Sequence, residues 1–198
     1  MKRMMLFVLA VALLVGLALA GEAKTLRWNL ASEPPSLDPS LATDTTSHQI
    51  IKSTFVSLLQ FDDVTMNVLP DLATTWDFDA ATNTWTFHLR NDVYWVDQSA
   101  LPLGVVTAHD VEYGIKRLLA PDTASEYAYV LYLIKGAEAY NTGVGSADDV
   151  GVVAVDDVTV AITLNFPAGY FPTMAALWLC APLPSAAIER YGDQWTEA

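Results

Sequence analysis

Cysteine is almost absent from the chain, whose 198 residues contain only Cys180. A single cysteine excludes an internal disulfide framework and any zinc site built from paired thiolates. Cys180 lies in the apolar run LWLCAPLP. We therefore interpret it as a small buried hydrophobic side chain and not as a reactive thiol.

Histidine is also scarce, and the spacings that bind metal ions are missing. His48, His88 and His109 are far apart, and no HExxH or Cys-x-x-Cys pattern occurs, which argues against a zinc site. Residues 77–88 begin like a calcium-binding loop. The pattern fails at Thr82, where the loop needs glycine, and at His88, where it needs a bidentate glutamate. The sequence predicts no metal site.

Catalytic motifs are missing as well. There is no GxSxG, no GxxxxGK[ST] and no GxGxxG after a strand, so the common hydrolase and nucleotide-binding sites are not indicated. The adjacent acidic pairs at 62–63, 148–149 and 156–157 lie in predicted turns. Catalysis needs two carboxyl groups that converge on one substrate, and turn acids rarely do so. We therefore expect neither an enzyme nor a cofactor.

Positive charge is scarce: 10 Lys and Arg residues face 23 Asp and Glu residues, which gives a net charge of −13. Without residues 1–20, 8 basic residues remain and the net charge becomes −15. Nucleic acids and anionic membrane surfaces both require clustered positive charge. They are therefore poor partners for this chain.

The N-terminus has the pattern of a secretory signal peptide. Lys2 and Arg3 precede an apolar run over residues 4–20, and Ala18 and Ala20 form an A-x-A cleavage pattern. The alternative is a membrane anchor, since the run is near the lower length limit for spanning a bilayer. No cysteine follows the small residues, so we expect an exported protein without a lipid anchor, in the periplasm or outside the cell.

The remaining sequence predicts a mixed α/β chain. A first strand is expected over residues 25–30, and helices are expected from Ser47 to Leu59 and over residues 107–119. The apolar stretch 121–143 is expected to begin with a Pro-Asp turn and to continue as a helix that ends at a glycine. Period-two alternation predicts antiparallel hairpins over residues 74–90 and 151–165. Two short helical segments separated by prolines follow in residues 166–192.

The stretch NTWTFHLRNDVYWVD carries five aromatic rings, four from Trp, Phe and Tyr and one from His88. They raise the question of whether these side chains bind a ligand or form a core. Trp85 and Phe87 are two residues apart on a strand, so both point into the same layer, and we interpret them as core. Tyr94 and Trp95 are adjacent and face opposite ways.

Seven motifs occur in an order and at spacings that together resemble one protein family. They are SEPPSLDP (32–39), TWTFHLRNDVYW (84–95), VTAHDV (106–111), DTASEYAYVL (122–131), VVAVDDVTVAITL (152–164), YFP (170–172) and PSAAIERYGDQW (184–195). The family is that of the periplasmic oligopeptide- and dipeptide-binding proteins, the extracellular solute-binding components of ABC importers. DTASEY is most similar to the oligopeptide-binding branch. The family's Trp-Ser-Asp-Gly-like turn is replaced by the longer WVDQSALPLG.

This resemblance implies an α/β bilobal clamshell with an additional domain, of which the chain would hold the N-terminal third. The implied divisions are a signal peptide (1–20), the first segment of lobe one (21–55), the additional domain (56–184) and a truncated return to lobe one (185–198). The abrupt end after GDQWTEA fits a fragment of a longer protein.

The resemblance also implies a function. The whole protein would be a monomer that captures oligopeptides between its lobes and delivers them to the membrane permease of an ABC importer. Peptide main chains would pair with protein backbone, while side chains enter hydrated pockets.

Three residues are implied as ligand contacts. Tyr127 matches a tyrosine that lines the peptide site in the oligopeptide-binding branch, although a packing role on a helix is an equal alternative. Thr43 and Thr45 align with a contact segment whose residues differ. The groups that hold the ends of the peptide would lie beyond residue 198.

Other functions remain open at this point. The same fold could bind a dipeptide, a nickel chelate, haem or an oligosaccharide. A secreted hydrolase would need catalytic groups beyond residue 198. A single-domain recognition module could use Tyr94, Trp95 and Tyr129 on a polysaccharide.

Overall fold

The computed structural model describes residues 27–30 and 32–197. The chain divides into two compact units, Met1–Ala31 and Ser32–Ala198. The predicted signal peptide lies outside the described residues. Residues 27–30 have neither helix nor strand, so the strand predicted over residues 25–30 is wrong there. A strand needs a hydrogen-bonded neighbour, and no sheet pairing among the described residues includes these four.

The second unit contains five α-helices and eight antiparallel strands among its described residues. Its α-helices are α1 (Thr45–Thr54), α2 (Ala108–Leu119), α3 (Ala137–Asn141), α4 (Phe171–Ala175) and α5 (Ser185–Tyr191). Its strands are β1 (Leu59–Phe61), β2 (Val68–Pro70), β3 (Ala73–Asp79), β4 (Thr84–Leu89), β5 (Tyr94–Val96), β6 (Pro102–Val105), β7 (Val152–Asp156) and β8 (Thr159–Thr163). Short 3₁₀ helices cover Pro121–Thr123, Ala128–Leu131, Ala147–Asp149, Trp178–Cys180 and Gly192–Glu197. No helix in the described part of the chain is long and apolar enough to cross a bilayer.

The central sheet has four antiparallel strands in the order β3-β4-β8-β7. Both hairpins that the sequence predicts are therefore confirmed, and β4 pairs with β8 between them. The register places Trp85 opposite Ile162 and Phe87 opposite Val160. Because partners in register share one face of a sheet, these four side chains form one apolar layer.

Trp85 and Phe87 lie in the core, as the alternation predicts. Phe87 is fully buried, Trp85 is 8% exposed, and the Phe87 ring lies 6.2 Å from that of Phe171. The Trp85 ring lies 4.8 Å from that of Phe78, and its Nε1 donates a hydrogen bond of 3.3 Å to the Ala168 carbonyl. These rings stabilise the sheet and its contact with α4.

Helix α2 begins at the predicted N-cap, Thr107, and packs its apolar face on the sheet. The Asp110 carboxylate accepts hydrogen bonds from the Thr107 N–H (2.8 Å) and Oγ1 (3.1 Å). Glu112 joins this helix to the edge strand β7, because it accepts from Lys116 Nζ at 2.6 Å and from the Ala154 N–H at 2.8 Å. Burial acts to raise the pKa of Glu112, but these hydrogen bonds and the Lys116 charge outweigh it, and the pKa is lowered.

Helix α1 begins where the sequence predicts and ends early. Asp44 is its N-cap, but the helix stops at Thr54, before the predicted face at Phe55 to Leu59 is complete. Leu59 lies in β1 instead, and the Ala73 N–H donates to the Leu58 carbonyl at 2.8 Å. Pairing with a distant segment therefore overrides the helical spacing of the apolar residues.

The predicted helix in residues 121–143 is mostly wrong. Two 3₁₀ helices precede the short α3, and Ile134 forms an isolated bridge with Leu164. Gly136 has a φ of +73°, and an added Cβ would collide with the Asp149 carbonyl. This conformation at Gly136 is not helical, so the helix cannot continue through it.

The β5–β6 hairpin includes part of the segment WVDQSALPLG. Tyr94 is 51% exposed, whereas Trp95 is half-buried and lies 6.4 Å from the Phe55 ring. The opposite facing of these adjacent residues is confirmed.

The buried apolar residues form two clusters. The larger contains only residues between Leu58 and Cys180. The smaller contains Leu183, Ile188 and Trp195, with Phe55 and Tyr113 packed against it. The second cluster therefore joins the C-terminal segment to the C-terminal end of α1 and to α2.

Candidate functional site

Tyr127 is half-buried and lies directly before the 3₁₀ helix Ala128–Leu131. Its ring stands edge to face with Trp178, at 5.8 Å and 88°. On its other side is Tyr129, at 6.3 Å, which is 61% exposed. The ring of Tyr127 therefore lies at the boundary between the core and the surface.

Trp178 also contacts helix α1. The Trp178 and His48 ring centroids are 4.3 Å apart, with the rings tilted by 45°. Tyr129, Tyr127, Trp178 and His48 thus form a continuous series of rings, which we call the aromatic row. The buried Nε1 of Trp178 has no hydrogen-bond partner among the described residues.

Thr43 and Thr45 are exposed at the N-terminus of α1. Between them, the Asp44 carboxylate accepts from the Ser47 Oγ at 2.6 Å and from the Thr46 and Ser47 N–H groups at 2.9 Å each. The hydroxyl of Ser47 and these backbone groups lower the pKa of Asp44, so it remains a charged cap.

The aromatic row comes near the segment of Thr43 and Thr45 at His48. Thr45 lies three residues before His48, so both occupy the same face of α1. No hydrogen bond or ring contact among the described residues joins Thr43 or Thr45 directly to Tyr127. The connection from Tyr127 to this segment runs through Trp178 and His48.

A small cleft of about 110 Å³ lies beside Trp178, between α1 and the 3₁₀ helix Trp178–Cys180. Its lining residues are His48, Ile51, Lys52, Phe55, Ser57, Leu59, Gln60, Phe61, Asp71, Ala176, Leu177 and Trp178. Burial, followed by the nearby Lys52 charge, lowers the pKa of His48. Burial raises the pKa of Asp71, although the Ser57 N–H donates to its carboxylate at 3.0 Å.

The cleft is lined like a binding site, but it has room for no more than one small side chain of a ligand. The cleft combines aromatic and aliphatic walls with a few polar groups, as ligand sites do, and the neutral imidazole adds to the apolar wall. In the described part of the chain, no group of three or more His, Cys, Asp or Glu residues could hold a metal ion. Cys180 is fully buried, and burial raises its pKa to about 12, so the thiol remains protonated.

Sequence reasoning missed two residues of the aromatic row. His48 could have been found from its helical spacing to Thr45. Trp178 carried no comparable signal, because its contact with Tyr127 joins segments 51 positions apart in a part of the chain where the sequence indicated only short helices.

Comparison with known proteins identifies relatives of this chain. The family model described as bacterial extracellular solute-binding proteins, family 5 Middle, matches residues 67–197. The oligopeptide-binding protein OppA of Bacillus subtilis is 39% identical over 84% of this chain. The periplasmic oligopeptide-binding protein OppA of Escherichia coli K12 is 38% identical over 92% of this chain.

Solved structures agree with these relatives. The murein tripeptide binding protein MppA of Escherichia coli has a TM-score of 0.74 and 34% identity over 83% of this chain. OppA of Haemophilus influenzae, in complex with RPPGFSPFR, has a TM-score of 0.75 and 30% identity over 84%. The chain covers 31% and 32% of those two chains, and 29% and 32% of the two OppA sequences. The expected mixed α/β fold of the periplasmic binding proteins is confirmed.

Proposed function

Because the chain belongs to family 5 of the bacterial extracellular solute-binding proteins, we propose that the full-length protein captures oligopeptides for an ABC importer. The observation that carries this proposal is the identity of 38–39% to two proteins named as oligopeptide-binding, over 84–92% of the chain. The protein is exported by a cleaved signal peptide, acts in the periplasm or outside the cell as a monomer, and catalyses no reaction.

The chain spans about 30% of the length of these relatives, so binding is a property of the whole protein. We assign residues 21–55 and 185–198 to lobe one of a bilobal clamshell and residues 56–184 to the additional domain. The larger buried cluster supports this division, because all its members lie between Leu58 and Cys180.

The peptide lies between the lobes with its main chain paired to protein backbone, so recognition depends little on the peptide sequence. Peptide binding stabilises the closed state, which the permease then recognises. On the side of this chain, Tyr127 is the main contact and Thr43 and Thr45 are secondary ones. Support for Tyr127 comes from its half-buried ring, which lies in the aromatic row next to the exposed Tyr129.

Titration calorimetry of the full-length protein with peptides of three to nine residues tests the proposal. Tyr127→Ala should weaken peptide binding by about 1–2 kcal/mol, or roughly 5- to 30-fold, because a large aromatic contact is lost. Tyr94→Ala is the matched control, since Tyr94 is also half-exposed and makes no ring contact with the aromatic row. Equal affinities of wild type and Tyr127→Ala, with both proteins folded, would remove Tyr127 from the site.

A second candidate ligand class comes from another relative. The probable deoxycholate-binding periplasmic protein YgiS of Escherichia coli is 34% identical over 86% of this chain. Titration with deoxycholate in parallel with the peptides separates the two: saturable deoxycholate binding with no peptide binding would favour this alternative.

A further inference from the structure

Three segments that are far apart in the sequence meet at one buried carboxylate. Asp38 is 5% exposed and forms a bidentate pair with Arg117, with Nη1–Oδ1 at 3.0 Å and Nη2–Oδ2 at 2.7 Å. Trp195 Nε1 donates to the same Oδ2 at 2.9 Å. We call Asp38, Arg117 and Trp195 the Asp38 cluster. Its members come from the motif SLDP, helix α2 and the motif GDQW.

The same aspartate organises the loop that follows it. Asp38 Oδ1 accepts from the Ser40 N–H at 2.9 Å, and the Asp38 carbonyl accepts from the Leu41 and Ala42 N–H groups at 3.0 Å each. Ser40 and Ala42 are 3% exposed. The turn over residues 38–42 is therefore fixed by both the side chain and the backbone of Asp38.

Trp195 holds the far end of the same segment. Its ring lies edge to face with Phe55, at 6.0 Å and 79°. Phe55 is the C-cap of α1. The Asp38 cluster thus contacts the segment 38–55 at both ends, and the exposed Thr43 and Thr45 lie between these two contacts.

We propose that the Asp38 cluster positions the segment Leu41–Thr45 for contact with the peptide, an inference that rests on the proposed function. Arg117 and Asp38 are positioning residues and do not touch the ligand. Fixing the loop before binding removes the entropy cost of ordering it in the complex. A planar guanidinium holds a carboxylate by two parallel hydrogen bonds, which defines its orientation as well as its distance.

Arg117→Lys in the full-length protein is the test, because lysine keeps the charge and loses the bidentate geometry. We expect roughly a 5- to 20-fold loss of peptide affinity, mainly through a faster dissociation rate. We also expect faster hydrogen exchange at the amides of Leu41 and Ala42. Ile162→Val is the control for stability, since Ile162 is fully buried in β8 and belongs to the larger cluster. It should lower the melting temperature and leave both the affinity and the exchange at residues 41–42 unchanged.

The experiment distinguishes a failure of the positioning proposal from a failure of the proposed function. Wild-type peptide binding together with unchanged affinity in Arg117→Lys would refute this proposal alone. An equal loss of affinity in Ile162→Val would also refute it, because general destabilisation would then explain the effect. Wild-type protein that binds no peptide would refute the proposed function and this inference with it.

Discussion

The assignment of the aromatic hairpin to the core leads to a quantitative prediction for Trp85→Ala. Trp85 is 8% exposed, packs 4.8 Å from the Phe78 ring and donates to the Ala168 carbonyl. Alanine would leave a cavity in the layer formed with Phe87, Val160 and Ile162. Large-to-small changes of this kind cost about 3–5 kcal/mol. The unpaired Ala168 carbonyl places the expected value in the upper half of that range.

The effect should be measurable as a shift in unfolding. At roughly 2–4 °C per kcal/mol for a domain of this size, a cost in that upper half should move the transition down by about 8–20 °C. Thermal unfolding of the full-length protein, followed by near-ultraviolet circular dichroism, measures this shift. His88→Ala is the matched control, because His88 lies on the same strand, points to the opposite face and has a side chain 46% exposed. It should change stability by about 0.5 kcal/mol or less.

One result would refute the reasoning. If Trp85→Ala kept the unfolding transition of the wild type and abolished peptide binding, Trp85 would be part of a ligand surface and the core assignment would be wrong.

Three further predictions follow from single residues. Because the pKa of Glu112 is lowered in the fold, its charged form stabilises the protein, and Glu112→Gln should lower the free energy of unfolding at neutral pH by about 1–2 kcal/mol. The denaturation curves of the two proteins should converge as the pH falls below about 4. A difference that stays constant with pH would contradict this. Gly136→Ala should destabilise the protein by more than Gly143→Ala, because both have positive φ and only Gly136 has no room for a Cβ; equal melting temperatures would contradict this. Cys180 should react with a thiol reagent only after unfolding, and fast labelling of the native protein would show that it is accessible.

Local sequence patterns predicted part of the fold. The hairpins at Trp85 and Val160 were predictable because period-two alternation reflects one buried face. The start of α2 was predictable because the Thr107 and Asp110 pair satisfies backbone groups within four residues. These features depend on neighbours in the sequence, so the sequence alone determines them.

Other features depend on distant partners and could not be predicted. Helix α1 was expected to continue to Leu59, but residues 57–59 pair with the segment around Leu72. The helix expected in residues 121–143 is interrupted where Ile134 bridges to Leu164. In each case the apolar spacing was compatible with a helix, and a pairing across the fold decided the outcome.

The candidate site also depends on contacts between segments that are far apart in the sequence. Tyr127 was identified through a resemblance, and its neighbours Trp178 and His48 came from segments with no visible link to it. The Asp38 cluster joins residues 79 and 157 positions apart. Asp38 and Trp195 lie in two of the seven motifs, but only the fold shows that they meet at Arg117.

The most direct test of peptide capture is to identify the solute that the native protein carries. The full-length protein would be purified without denaturation from the extracytoplasmic fraction of its own cells, unfolded in acid, and the released small molecules analysed by mass spectrometry. We predict a mixture of oligopeptides of varied sequence, in amounts close to one per protein. Release of a single non-peptide solute, such as a steroid, in the same ratio would contradict peptide capture.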